Sequence, residues 1–422
     1  MQLHFNAISE PTQPGPKWQK NFNLYWPAYL AWLNSKNAAH LPNLETSKAA
    51  LKYYMPEMLP TYERLCKLAN ADEIAARFLT GFQPPAYISA CSQAVLTERT
   101  VQLVRNYDYH PDLVEGAQLL TAWNGKKVIG TSDCLTGLVD GMNEDGLAIS
   151  LTFGGRKEVG EGFGIPFILR YVLEFSSNVE EAVEAFTRVP SHMSYNVTVL
   201  DKTGACKTVH LAPDKAPLVT DAVFTTNHQG QVDWPENALF NQTVERSAFL
   251  ERSLSEEELD ADKLAAAFLQ APLYNTRFAE GFGTIYTAVY RPAEGTVQIR
   301  WPNETVRQSF DAFQEQYKLI KYNQPAPTAV PVPATAIWEQ VPADAAQWIP
   351  QPSNGSAATA TDWQEAVADT IVNSMAQNHM PEGQKNLKSL RKNMLRRGQI
   401  SWEILADYWA NIGRGYWEKW RK

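Results

Sequence analysis

Two runs rich in β-branched and aromatic residues, Pro84 to Leu96 and Thr100 to Asp108, are separated only by the polar turn Thr97-Glu98-Arg99. Such a pair reads as a β-hairpin, and a hairpin dictates which side chains meet. With the turn centred on Glu98 and Arg99, Cys91 lies opposite Asn106, give or take one residue of register. Arg105 and Asp108 then fall within or close to the reach of cross-strand neighbours of that cysteine. One hairpin suffices to hold the core of a site.

The chemistry open to such a trio is nucleophilic. A free thiol has a pKa near ~8.5 and attacks as the thiolate, so a neighbouring cation favours its reactive form. Asp108 would hold the arginine, or a nearby amine, in place. A second reading fits the spacing as well: a small buried cysteine beside an ordinary Arg/Asp ion pair, free cysteine being among the most buried residue types.

Cys91-Ser92 followed by Arg105-Asn106-Tyr107-Asp108 resembles the start of the mature chain in N-terminal nucleophile hydrolases of the penicillin V acylase and bile salt hydrolase group. More closely, it resembles the autoproteolytic acyltransferases typified by fungal acyl-coenzyme A:6-aminopenicillanic acid acyltransferase. The resemblance extends through Gly141 to Leu147, Asn196 to Gly204, Thr226-Asn227-His228 and Gly283 to Thr287, roughly residues 80 to 305. It implies an α+β fold, a four-layer α/β/β/α sandwich, and a precursor that cuts itself between Ala90 and Cys91.

The 422 residues are ample for a large core, and 44% hydrophobic with 20% charged residues is an ordinary globular composition. A net charge of −8 gives no reason to expect nucleic acid or an anionic membrane as partner. The cysteines, Cys66, Cys91, Cys134 and Cys206, form no CxxC pair, and the seven histidines are scattered, so neither a disulfide framework nor a metal site is indicated. Residues 1–22 show no apolar stretch after a basic start, and no apolar run approaches the ~20 residues of a membrane span. The expected setting is reducing and cytoplasmic.

Residues 1–90 read as an N-terminal helical segment preceded by an extended arm with Pro11, Pro14 and Pro16, and by the resemblance they become a small subunit after self-cleavage. Helical patterns start at Trp26, run from Thr46 to Leu68 with breaks at Pro56 and Pro60, and resume from Ala71 to Leu79. The core is expected over residues 91–323, with strands at Ala117–Trp123, Lys127–Gly130, Leu147–Phe153, Tyr195–Leu200, Ala205–Leu211 and Ala222–Thr226. Helices are expected at Phe163–Phe175, Val179–Arg188, Thr243–Leu254 and Ala261–Leu269, and a last hairpin at Thr284–Tyr290 and Thr296–Trp301. Residues 324–361, rich in Pro, Ala and Ser, read as a linker. Residues 362–422 read as a helical basic and aromatic extension: a docked appendage, or a basic amphipathic element seeking a partner or a membrane surface.

Residue by residue, the resemblance implies Cys91 as nucleophile, Arg105 beside the thiol and substrate, Asp108 orienting the new α-amine, and Asn227 as oxyanion donor. Arg246 lies where bile salt hydrolases have a further arginine, and Asn196 is family-like. Thr152 stands where those enzymes carry an asparagine, so the second oxyanion donor is a hydroxyl or a backbone N–H, and bile salts become doubtful substrates. No cofactor is expected, with acyl-coenzyme A as an optional acyl donor. The expected partner is a small acyl amide or acyl thioester; self-association is left open. A papain-like pairing of His228 with Cys91 lacks that family's flanking signature, and an unprocessed binding homologue remains a further alternative.

Overall fold

The computed structural model describes residues 2–36, 42–278 and 282–322. The expected linker and extension, residues 324–422, lie outside the described residues. The described residues fall in one of two compact units of the chain, Met1–Phe278 with Phe282–Thr328.

Two sheets carry the fold. The larger has nine strands in the order β10-β9-β8-β7-β6-β5-β4-β1-β15, with β1 (Gln2–Glu10), β4 (Ala117–Thr121), β5 (Val128–Asp133), β6 (Gly137–Asn143), β7 (Leu147–Phe153), β8 (Tyr195–Asp201), β9 (Cys206–Ala212), β10 (Lys215–Thr220) and β15 (Gln316–Lys321). The smaller has six in the order β11-β2-β3-β12-β13-β14, namely β2 (Ala90–Leu96), β3 (Gln102–Tyr109), β11 (Phe224–Thr225), β12 (Gly283–Arg291), β13 (Thr296–Trp301) and β14 (Glu304–Ser309). Every pairing between these strands is antiparallel except that of β1 with β4.

Nine described helices cover the sheets: α1 (Pro16–Ser35), α2 (Leu44–Tyr54), α3 (Leu59–Ala69), α4 (Glu73–Leu79), α5 (Ile165–Phe175), α6 (Val179–Arg188), α7 (Pro235–Asn241), α8 (Thr243–Leu254) and α9 (Ala261–Ala267). Three cores separate the layers. In the first, Phe22, Leu51, Leu65, Leu79, Ile168 and Phe186 of α1 to α6 pack on Val128, Ile149, Val197 and Val209 of the large sheet. The second lies between the sheets, where Phe5, Ile129 and Met142 face Leu103, Ile285 and Ile299. In the third, Leu250 and Leu264 of α8 and α9 cover Ala94, Val104 and Val289 of the small sheet. Alternating side chains place successive strand residues on opposite faces, so β2 and β3 are buried on both sides.

Residues 1–90 are not helical throughout, and the expected arm is a strand followed by a helix. In β1, Leu3, Phe5 and Ala7 alternate into the core, and the strand lies between β4 and β15. Helix α1 opens at Pro16, where proline at the first position is tolerated and pre-set for helix. The strands β6, β10, β14 and β15 and the helix α7 were not read from the sequence.

Candidate active site

The hairpin β2–β3 pairs Leu96 with Gln102 and Cys91 with Tyr107, one residue from the register of a turn centred on Glu98 and Arg99 and within the stated margin. Five residues connect the strands, and Arg99 at their centre takes a left-handed φ of 64°. This one-residue difference matters, because it decides faces. Cys91, with Leu103 and Tyr107, faces the other sheet. Arg105 is diagonal to it on that same side. Asp108 is instead opposite Ala90, on the side of Ala94 and Val104, which face α8 and α9.

On the intersheet side, Arg105 Nη2 lies 3.0 Å from Cys91 Sγ. The guanidinium is fixed from three directions: Nη1 donates to Asp140 Oδ2 at 2.6 Å, Nε donates to the Leu151 carbonyl at 2.9 Å, and its plane sits 4.7 Å from the centre of the Tyr107 ring. Asp140, from β6, also accepts the hydroxyls of Tyr286 at 2.8 Å and Tyr290 at 2.6 Å. Both side chains of the Arg105–Asp140 pair are wholly buried. Burial pushes the Cys91 thiol up, and Arg105 pulls it back only in part, so the thiol is held protonated in the intact chain.

On the helix side, the two-residue β11 pairs Thr225 with Gln93, which brings Asn227 alongside Cys91. The Cys91 N–H donates to Asn227 Oδ1 at 3.1 Å, and Arg246 Nη2 donates to the same oxygen at 2.6 Å. Two donors on that atom settle the amide's orientation, since a flipped NH2 would oppose both. Asn227 Nδ2 donates one proton to the Phe153 carbonyl at 3.1 Å. Its backbone N–H donates to Thr243 Oγ1 at 2.6 Å.

Arg246, from α8, is buried on protein groups. Its Nη1 donates to the Cys91 carbonyl at 2.5 Å and to Ser92 Oγ at 2.7 Å, and lies 3.7 Å from Asp108 Oδ2. Asp108 Oδ1 accepts the Thr284 hydroxyl at 2.7 Å, while Oδ2 has no hydrogen-bond donor. Burial raises this carboxyl to about 6, outweighing the pull of Arg246.

Cys91, Arg105, Asp108, Asn227 and Arg246 are thus brought together. Thr152 and Asn196 stand one step away. The Thr152 hydroxyl donates to the Thr226 carbonyl at 2.7 Å and accepts from Asn196 Nδ2 at 3.0 Å. Asn196 also donates to the carbonyls of Thr226 at 3.0 Å and His228 at 3.1 Å. With its proton spent there, Thr152 has none for an oxyanion; the two residues fix the turn that carries Asn227. His228 Nδ1 bonds the Thr243 hydroxyl at 2.9 Å rather than Cys91.

Sequence reasoning missed Asp140, Tyr290 and Thr243. The signal for Asp140 was a lone acid inside the apolar run Leu138-Val139-Asp140, a placement that demands a buried partner. Thr284 and Tyr286 lie in the Gly283 to Thr287 motif, which carried no role for either. Among the described residues no group of His, Cys, Asp and Glu could hold a metal ion, and no helix is long and apolar enough to cross a membrane.

Residues 95–305 match the family model described as acyl-coenzyme A:6-aminopenicillanic acid acyl-transferase, half of the chain, beginning just after Cys91. No curated protein matches the sequence. Among solved structures, the chain is similar to a mutant of conjugated bile acid hydrolase from Clostridium perfringens, at 13% identity and TM-score 0.37, over 55% of this chain and 97% of that one. It is also similar to a Caenorhabditis elegans ortholog of N-acylethanolamine-hydrolyzing acid amidase, at 16% identity and TM-score 0.37, over 55% and 100%. Penicillin V acylase from Agrobacterium tumefaciens follows at 13% identity and TM-score 0.34, over 52% and 86%.

Proposed function

Because the chain belongs to the acyl-coenzyme A:6-aminopenicillanic acid acyl-transferase family, we propose that it is a self-processing cysteine enzyme cleaving a linear amide C–N bond through an acyl-enzyme on Cys91. One observation carries this reading. The two groups that Cys91 would use are served from opposite sides of one strand: the thiol by Arg105, the backbone nitrogen by Asn227, whose oxygen Arg246 also holds, with an Asp108 oxygen that accepts no hydrogen bond on the strand opposite Ala90.

In processing, Cys91 Sγ attacks the carbonyl carbon of Ala90. The C–S bond forms, the C–N bond between Ala90 and Cys91 breaks, and the thiol proton ends on the nitrogen that becomes the α-amine. Water then opens the thioester, leaving a carboxylate on Ala90 and a free thiol. In turnover the α-amine, whose ordinary pKa of about 7.7 to 8.0 suits neutral pH, takes the thiol proton and passes it to the leaving amine. Asp108 holds that amine, Arg105 stabilises the thiolate, and the second Nδ2 proton of Asn227 serves the oxyanion, a role worth about 3 to 4 kcal/mol. All four cysteines are free, as a working thiol requires, and the reading assigns the enzyme to a reducing, cytoplasmic setting.

A second reading uses the same thiol for acyl transfer from acyl-coenzyme A to an amine, favoured by the description of the matching family model. Supplying an acyl thioester with an amine and finding the amide product would select it.

Intact mass under denaturing conditions, beside a Cys91→Ala variant, tests the proposal. Denaturation is needed because β1 lies inside the large sheet, so the fragments would stay together. Two fragments breaking between Ala90 and Cys91, in the wild type only, are expected. A single 47.4 kDa chain in both would refute self-processing and favour an unprocessed binding protein.

A further inference from the structure

We propose that Thr284 is a positioning residue for the reaction: its hydroxyl, turned toward Asp108 by a β-bulge at Ile285, fixes which carboxylate oxygen is left for the Cys91 nitrogen as it becomes an amine. The inference rests on the self-processing proposed above and deepens it.

The need for a bulge follows from parity. Arg105 and Asp108 are three residues apart on β3, so the strand sends them to opposite faces. The β12 side chains that serve them, Tyr286 and Thr284, are two apart, and a regular strand would send both to one face. The pairing of β12 with β3 resolves the mismatch. Thr284 lies opposite Asp108 and Tyr286 opposite Tyr107, with Ile285 as the extra residue of an irregular step, and a bulge of this kind re-aims the side chains on either side of it. Ile285 and Tyr286, adjacent in sequence, accordingly both face the other sheet. Tyr286 donates to Asp140, which holds Arg105. Thr284 goes to the helix side, where its hydroxyl donates to Asp108 Oδ1 at 2.7 Å. Two donors hold the bulge in place: the Trp301 indole N–H and the Tyr322 hydroxyl both donate to the Ile285 carbonyl at 2.7 Å.

The polarity of the Thr284 hydroxyl is set as well. The side chain is wholly buried, and its oxygen accepts the Asn275 N–H at 2.8 Å. The Thr284 N–H in turn donates to the Asn275 carbonyl at 2.7 Å. With its oxygen occupied by a donor, the hydroxyl directs its one proton at Asp108 Oδ1. Oδ2 is left without a hydrogen-bond donor, 3.7 Å from Arg246 Nη1, and is the oxygen open to the nascent amine. A hydrogen bond to the ionised form favours that form, so Thr284 also works against the burial that raises this carboxyl. Without the hydroxyl, the carboxyl group is free to turn about its last bond and takes up its proton at a higher pH.

In the test, full-length chain made in a short pulse of cell-free translation is moved to buffers spanning the acid and neutral range. Fragment formation is followed by intact mass under denaturing conditions. Thr284→Val keeps the shape and loses the hydroxyl, whereas Thr284→Ser keeps the hydroxyl. The wild-type rate should fall through an acid limb near about 6. Thr284→Val should move that limb up by about one pH unit or more, the worth of one hydrogen bond to a charged group, which slows fragment formation about fivefold at the wild-type midpoint. Thr284→Ser should bring the limb back. A loss of packing alone would lower the rate without moving the limb. Urea midpoints in a Cys91→Ala background report whether each variant is folded, and Thr284→Ala takes the place of Thr284→Val if the valine chain is not.

A hydroxyl-free variant with the wild-type limb, a serine variant that fails to restore it, or a wild type with no acid limb overturns the role of Thr284, while fragments from the wild type leave the self-processing reading standing. A wild-type chain that forms no fragments overturns both.

Discussion

Replacing Asp140 by asparagine should disrupt the site from across the sandwich. Asp140 reaches from the large sheet to accept Arg105 and two tyrosine hydroxyls of the small one. Asparagine keeps one acceptor oxygen and presents an NH2 group where a donor already points. Removing one partner of a wholly buried ion pair costs about 3–5 kcal/mol, because the other charge is left unmatched. A displaced hydroxyl adds about 1–2 kcal/mol, partly overlapping, so a loss of about 4 kcal/mol is expected. Tyr290→Phe removes one donor and leaves the ion pair, and should cost about 1–2 kcal/mol. Urea unfolding followed by tryptophan fluorescence, in a Cys91→Ala background so that the covalent state is constant, reads both as midpoint shifts at unchanged slope. In the Cys91 chain, Asp140→Asn should also slow fragment formation at least tenfold, because Arg105 is no longer aimed at the thiol. Stability within about 1 kcal/mol of the parent, or equal costs for the two variants, would refute this account.

Burial raises Asp108 in the intact chain to about 6 from its ordinary 3.8, so fragment formation should slow as pH drops through about 6, and Asp108→Asn should remove that limb from its pH profile. For stability the sign is opposite: between about 3.8 and 6 the folded chain binds a proton that the unfolded chain does not, so this group adds stability as pH falls, and titrated urea midpoints should show it flattened in Asp108→Asn. Arg246→Lys should slow fragment formation at least tenfold by mass, since an ammonium cannot reach Cys91 O, Ser92 Oγ and Asn227 Oδ1 as the fork does. His228→Gln should process within about threefold of wild type; loss of processing would revive a Cys/His pairing. One glycine inserted after the exposed Glu98 should leave fragment formation within about threefold, because two buried faces rather than the loop hold the register.

The elements legible in the sequence are those whose signals are local. Helix α6 was read at its observed bounds because Asn178 caps it, its Oδ1 accepting the Glu181 N–H at 2.9 Å, and β7 because an apolar run follows a turn. Strand β1 was hidden by the prolines that follow it, although Leu3, Phe5 and Ala7 alternate. Strand β6 contains Gly137, Gly141 and Asp140, all depleted from strands in general, and is stable only because its neighbours bury it. Strand β10 carries Pro217 within an irregular pairing and pairs with β9 alone, the edge position where proline survives. The site was legible where residues follow one another along the hairpin. Asp140 and Tyr290 were not, since Asp140 reaches Arg105 and Tyr290 from the other sheet, and no periodicity along one segment encodes that.

The division of faces explains why a hairpin buried on both sides suits this chemistry. A residue that uses both its thiol and its own amine presents them to different partners, because a cation favours the thiolate whereas a carboxylate favours the ammonium. Strand alternation supplies the separation: Arg105 comes to the thiol from the intersheet core, while Asp108 stays on the helix side with the backbone nitrogen's partners. The hairpin's register therefore sets the chemistry. Slipping it by one residue would turn Arg105 to the helices and Asp108 toward the thiol, raising rather than lowering the thiol's pKa. The same slip would also turn Leu103 out of one core and Val104 out of the other, so the packing that stabilises the fold holds the reactive groups apart.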